Sequence, residues 1–302
     1  YTADNVLYAL GFHQGNSTIS LEVNDTTTVD GLTAIATVND DATGEVTFIL
    51  NNETIYSVEI IDGTATLVLD TIAAGDYNIT AVYGGNYAYK GNETSATFTV
   101  TKVNSTIEID TLETIYVDTN GTIIITVANA TGNVTVKIDG LNDTTLDLND
   151  SVAVLVLPVL AEGNYNITVV YGGDETYLDS TQTSEFEVVK YAPELDIDID
   201  DVSVIDNATI TVTVPNATGT VTVKVNSKEE TATLGNGTVT IDLGLFDAGE
   251  YNVTVTYDGD ELFYGASDNA SFTVSKIDTE LDVDVDAGEA FDDVTITVKG
   301  NL

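Results

Sequence analysis

The chain has 302 residues, with 50 Asp and Glu against 8 basic residues, all of them Lys, and a formal net charge of −42. That charge excludes nucleic acid and anionic lipid surfaces as partners. A single His and no Cys exclude disulfides, thiol chemistry, nucleophile–His pairs and most zinc sites.

In chain order, Tyr8, Leu10 and Phe12 alternate as one strand, so residues 1–15 read as the last strand of a preceding repeat. Three whole units follow, 16–101, 102–190 and 191–276, and residues 277–302 begin a further, truncated one. Four anchors set this period at 86–88 residues. "ATGEVT" at Ala42 returns at Ala130 and Ala217, and "GDYNITAVYGG" at Gly75 returns at Gly163 and Gly249. "FTV" at Phe98 returns at Phe186 and Phe272, and "NSTI" at Asn16 returns at Asn104. Within the second unit, alternation predicts seven strands, near Ser105, Thr122, Asn133, Thr144, Ser151, Tyr165 and Ser184. They are rich in Val, Ile, Thr and Tyr and separated by Gly, Asn and Asp, and no segment keeps a helical period. The run Val152–Leu160 is too short for a membrane span and holds Pro158. The expected fold is all-β: tandem immunoglobulin-like antiparallel sandwiches of about seven strands each.

The repeated phrase fits the sixth strand. Parity turns Tyr165, Ile167, Val169 and Tyr171 to the core and Asn166, Thr168 and Val170 outward. Tyr77, Tyr165 and Tyr251 fall where such sandwiches place a corner tyrosine, or else fill the rim of the core; Phe98, Phe186 and Phe272 close it. The late segments resemble the prokaryotic immunoglobulin-like (Big family) repeat, which runs Gly-x-Tyr-x-Val-Thr, Tyr-x-Gly-Asp, an aromatic and Phe-Thr-Val. Gly75, Tyr77, Tyr83, Gly85 and Phe98 carry the match in the first unit. Gly163, Tyr165, Tyr171, Asp174 and Phe186 carry it in the second, and Gly249, Tyr251, Tyr257, Asp260 and Phe272 in the third. With its Asn, Thr and acidity, the chain also resembles adhesin-like surface proteins of methanogenic archaea. The resemblance implies extracellular cell-surface stalks and adhesion, and no catalytic residues.

Three sets of residues are candidate sites. Asn-x-Ser/Thr sequons occupy 17 of the 24 asparagines, well above what the Ser and Thr content alone gives. Asn78, Asn166 and Asn252 recur in register on the outer face, and Asn16, Asn104, Asn129, Asn216 and Asn269 are further glycan acceptors in an exported protein. Asp196, Asp198 and Asp200 line one face of a strand, and Asp174, Glu175, Asp260 and Glu261 sit in loops. Their hard oxygens suit Ca2+, or else form a solvated acidic face that blunts strand pairing. Lys102, Lys190 and Lys276 close each unit with core-facing parity, for a salt bridge across the junction or a covalent Lys–Asn or Lys–Asp crosslink.

The functional expectation is a non-catalytic extracellular stalk or fibre segment supporting adhesion, each unit adding about 35–45 Å. Its partners are a cell-surface or carbohydrate ligand, or other copies of itself. The alternative is a self-assembling subunit of a filament, sheath or surface layer, joined by inter-subunit strand complementation at the cut ends.

Overall fold

A computed structural model of the chain describes residues 13–111, 113–286 and 295–301. Tyr8, Leu10 and Phe12 lie outside the described residues, as do residues 287–294 of the last segment. Among the described residues there is no helix, and so none long and apolar enough to cross a membrane.

The first sandwich comprises β1 (Ile19–Val23), β2 (Thr26–Thr27), β3 (Leu32–Val38), β4 (Glu45–Leu50), β5 (Thr54–Glu59), β6 (Thr64–Leu69), β7 (Gly75–Gly85) and β8 (Lys90–Thr101). The second comprises β9 (Ile107–Thr111), β10 (Ile115–Tyr116), β11 (Thr122–Val127), β12 (Asn133–Ile138), β13 (Thr144–Asp147), β14 (Val152–Val156), β15 (Gly163–Tyr171) and β16 (Ser180–Val189). The third comprises β17 (Asp196–Ile199), β18 (Val202–Ser203), β19 (Ala208–Thr213), β20 (Thr220–Val225), β21 (Lys228–Thr233), β22 (Thr238–Gly244), β23 (Gly249–Tyr257) and β24 (Ala266–Ser275). A hairpin, β25 (Glu280–Asp286) and β26 (Thr295–Asn301), completes the described chain.

Each sandwich pairs a three-stranded sheet with a five-stranded one, and the order is the same every time: β1-β3-β6 with β2-β8-β7-β4-β5, then the same pattern in the other two. The fold is therefore a tandem array of immunoglobulin-like sandwiches. The strand that the hydrophobic period does not show is the two-residue β2, β10 and β18, each parallel to the last strand of its own sandwich. Two residues carry no alternation, so periodicity has nothing to read there.

Alternation writes the cores. Leu32, Ala34, Ala36 and Val38 of β3 are buried while Thr33 and Thr37 are exposed. Ile79, Ala81 and Tyr83 of β7 are buried, as are Ile167, Val169 and Tyr171 of β15 and Val253, Val255 and Tyr257 of β23. Phe98, Phe186 and Phe272 are buried and stack on Tyr77, Tyr165 and Tyr251 with ring centroids 5.2, 5.4 and 5.3 Å apart. The Tyr77 hydroxyl donates to the Ala73 carbonyl and that of Tyr251 to the Asp247 carbonyl, both at 2.9 Å. A tyrosine that ties its own strand to the turn before it fixes the entry of that strand.

The chain forms two compact units. One holds the described residues up to 111 with 122–156 and 165–186; the other holds residues 113–121 and 157–164 with the described residues from 187 onward.

Parity makes opposite demands on neighbouring positions of β15. Ile167→Ala is expected to cost about 2–5 kcal/mol, because it leaves a cavity in a filled core. Thr168→Ala, on the outer face, is expected to stay within about 0.5 kcal/mol. Urea unfolding checks both, with one transition of the array shifting in the first case only.

Candidate functional site

The same loop follows the long Tyr-rich strand in each sandwich. It opens with Gly85, Gly173 or Gly259, at φ 86°, 81° and 87°. A Cβ at these positions would lie 2.7–2.9 Å from backbone atoms of the returning loop, so only glycine fits the turn. The next residue is Asn86, Asp174 or Asp260. Asp174 Oδ1 accepts the N–H groups of Thr176 (2.8 Å) and Tyr177 (2.7 Å). Its Oδ2 accepts the N–H and the hydroxyl of Thr131, both at 2.9 Å. Asp260 repeats this with Leu262, Phe263 and Thr218, every distance being 2.8 Å. In the first sandwich Asn86 Oδ1 accepts from Ala88 and Tyr89 at 2.8 Å, and its Nδ2 donates to the Thr43 hydroxyl at 3.2 Å.

Partial burial pushes both carboxyls up, and the donors outweigh it. Asp174 is held well below the usual carboxylate range by the N–H groups of Thr131, Tyr177 and Thr176, and Asp260 is lowered to about 2 by those of Thr218, Phe263 and Leu262. The same carboxylates act on the core tyrosines. Burial first, then the nearby aspartate, pushes Tyr171 and Tyr257 up to about 12.

The chain entering each sandwich docks on this loop. The Gly15 N–H donates to the Ala88 carbonyl (2.7 Å) and its carbonyl accepts from Lys90 (2.9 Å). Val103 does the same with Thr176 (3.1 Å) and Leu178 (2.8 Å), and Tyr191 with Leu262 (2.9 Å) and Tyr264 (3.0 Å). The preceding side chain reaches the carbonyl of the Asx residue. Gln14 Nε2 donates to Asn86 at 2.6 Å, Lys102 Nζ donates to Asp174, and Lys190 Nζ donates to Asp260 at 2.6 Å. Lys190 also lies 3.8 Å from the Glu162 carboxylate. The atom each lysine is hydrogen-bonded to is thus a main-chain carbonyl oxygen, where the sequence suggests a carboxylate or crosslink partner. Lys276 is exposed.

The two junctions differ in their surroundings. At the first, the Thr28 hydroxyl donates to the Thr176 carbonyl at 2.9 Å. At the second, Tyr191 stacks on Tyr116 with centroids 4.1 Å apart, and its hydroxyl donates to Asp118 at 2.9 Å.

All eight sequon asparagines singled out above are exposed, but they are not equivalent. Asn129 and Asn216 adopt left-handed φ of 58° and 63°, a conformation Asn tolerates better than most residues. The hydroxyls of their sequon threonines, Thr131 and Thr218, are the donors to Asp174 and Asp260. In the second and third sandwiches turn geometry and the carboxylate thus account for Asn-Ala-Thr without a glycan. In the first sandwich Asp41-Ala42-Thr43 stands in its place, and Asp41 accepts the Tyr89 hydroxyl at 2.7 Å. Asn78, Asn166 and Asn252 instead lie on the outer face of β7, β15 and β23. Asn166 donates to Asp139 at 2.7 Å, and Asn78 Oδ1 lies 3.5 Å from the Thr80 hydroxyl. Asn16 and Asn104 precede β1 and β9, and Asn269, on β24, accepts from the Thr254 hydroxyl at 2.7 Å.

Asp196 and Asp198 project from β17 to solvent, alternating with half-buried Ile197 and Ile199, and Asp200 follows the strand. Glu175 and Glu261 are exposed beside the committed carboxylates of Asp174 and Asp260. Among the described residues no three or more His, Cys, Asp or Glu side chains converge as a metal site.

Comparison with known families finds a match for the first sandwich. Residues 16–101 match the family described as Bacterial Ig-like domain (group 3). No curated protein matches significantly. Similar solved structures include dimeric latent PorU from Porphyromonas gingivalis, at 12% identity and TM-score 0.25, covering 87% of this chain and 34% of that one. They also include the I9–I11 tandem of titin, at 14% identity and TM-score 0.28, covering 86% and 100%. The chain thus spans about a third of the PorU length, and likenesses at these scores carry no functional argument.

Two predictions follow from the loop. A carboxyl lowered on folding stabilises at pH values above its unfolded pKa, near 3.8, and that contribution fades as pH falls through the folded value. Asp260→Asn is therefore expected to lower the unfolding midpoint of its sandwich at pH 7, with the gap to the parent closing as pH falls from about 4 to about 2. In unglycosylated protein, Thr218→Ala is expected to cost about 1–3 kcal/mol by stripping a carboxylate of its donor, whereas Asn252→Gln is expected to be neutral. Chemical unfolding of the two variants checks this.

Proposed function

We propose that the chain is a segment of a non-catalytic, extracellular stalk that supports adhesion at a cell surface. The supporting observation is the repeated docking of each linker on the next sandwich through the same Gly–Asx loop, which makes one unit the template for the next. The family matched by residues 16–101 favours a repeat of this kind. The acidic, Thr- and Asn-rich exterior suits a hydrated surface that repels its own copies. The ligand is a cell-surface or carbohydrate group, and glycans belong on Asn78, Asn166 and Asn252, which recur on the outer face of β7, β15 and β23 without left-handed φ.

Self-assembly into a filament or sheath is the second reading. The hairpin motivates it: Leu281, Val283, Ile296 and Val298 are exposed on β25 and β26. Sedimentation at micromolar concentration separates the two, since the stalk reading expects a monomer.

On intact source cells, antibody to this chain is expected to label the surface, and brief protease treatment is expected to remove the label. Labelling only after lysis would end the stalk reading. Peptide mapping of material from the same cells is expected to find sugar on Asn252 more fully than on Asn216.

A further inference from the structure

The geometry points to Lys102 and Lys190 as single-residue hinges, each latched shut by its own side chain on the Gly–Asx loop of the following sandwich. On the N-terminal side of Lys102, Thr101 is held by the sandwich it closes: its carbonyl accepts the Thr28 N–H at 3.0 Å, and it pairs with Thr27. On the C-terminal side, Val103 has both its N–H and its carbonyl bonded into the loop of the next sandwich. One residue therefore lies between two fully paired neighbours, so the main chain of the junction turns through the φ and ψ of Lys102, with the Thr28 hydroxyl's bond to the Thr176 carbonyl as a second tie across it. The far end of that residue is then tied to the Asp174 carbonyl.

The second junction repeats the arrangement. The Val189 carbonyl accepts the Val117 N–H at 3.1 Å, Tyr191 is bonded into its loop on both sides, and Lys190 stands between them with Nζ on Asp260. Gln14 occupies the same place before the first sandwich and makes the same bond to Asn86. The requirement on this residue is thus a long side chain ending in an N–H donor. Positive charge is not needed, since glutamine serves at one of the three positions. The partner is equally defined: a Gly–Asx turn whose side chain is consumed in shaping the loop, leaving its main-chain carbonyl as acceptor. This accounts for a lysine kept in register in so acidic a chain without a carboxylate partner at Lys102. Lys276 follows Ser275, whose carbonyl accepts the Val204 N–H at 3.0 Å, so it leaves its sandwich at the same position as Lys102 and Lys190.

The latch deepens the stalk reading by assigning stiffness to particular atoms, but it stands apart from it. A failure of surface labelling would leave the hinge untouched.

Because the chain has no Cys, labels go only where cysteines are introduced. Thr37→Cys on β3 and Thr145→Cys on β13 are exposed sites on the two sandwiches that flank Lys102. Spin labels there, in the full chain, give a distance distribution by pulsed electron paramagnetic resonance. A narrow distribution is expected for the parent. Lys102→Ala and Lys102→Gly are expected to broaden it about twofold or more. Lys102→Gln is expected to keep it narrow, as Gln14 does the same task. Circular dichroism checks that every variant is folded, which is expected because Lys102 lies outside the strands. A parent as broad as Lys102→Gly, or a Lys102→Ala distribution as narrow as the parent's, would overturn the inference.

Discussion

One Asp or Asn side chain organises the entry end of each sandwich. Asp174 takes four donors at once, two from its own loop and two from Thr131 in a turn more than forty residues earlier. Its main-chain carbonyl then receives the linker. A buried or half-buried anion is stable only when so satisfied, and satisfying it rigidifies every segment that contributes a donor. The turn before β12, the loop after β15 and the entering chain are thereby set against one another. Asp260 does the same for the third sandwich, and Asn86 achieves it for the first with an amide in place of a charge.

Much of this was legible in the sequence. The cores followed from alternation, because a residue that must face inward every second position leaves its mark on composition. The stacked pairs of Tyr77 with Phe98, Tyr165 with Phe186 and Tyr251 with Phe272 join residues that the repeat already places in register. The loop chemistry was harder to read. Asp174 and Asp260 look like cation ligands in isolation, since the threonines that consume their oxygens lie 43 and 42 residues away. The signal was nevertheless present: the Ala-Thr-Gly that marks the period contains those threonines. Tyr191 went unread because Val103 holds the same place at the first junction, and a residue that does not recur escapes a search for repeats.

The asparagines show how a composition bias can have several origins. Asn51, Asn52, Asn129, Asn216, Asn226 and Asn236 all carry left-handed φ, so the backbone selects asparagine at these turns. Thr131 and Thr218 follow two of them because a carboxylate needs a hydroxyl. An acceptor motif can thus arise from turn geometry and hydrogen bonding together. Only positions such as Asn252, on the outward face of a long strand, are free of that double constraint.

The hinge bears on how such an array can vary over evolutionary time. From Gln14 to Asn86 and from Lys102 to Asp174 the count is 72 residues, but from Lys190 to Asp260 it is 70. Insertions and deletions have been absorbed within sandwiches, in turns where chain length is of little consequence. The stretch from the closing phenylalanine to the lysine has the same length at Phe98, Phe186 and Phe272. One residue more there would reverse the side on which the long donor emerges. The array can therefore lengthen by whole units and drift within each of them, while the joint between units admits substitution but no change in count.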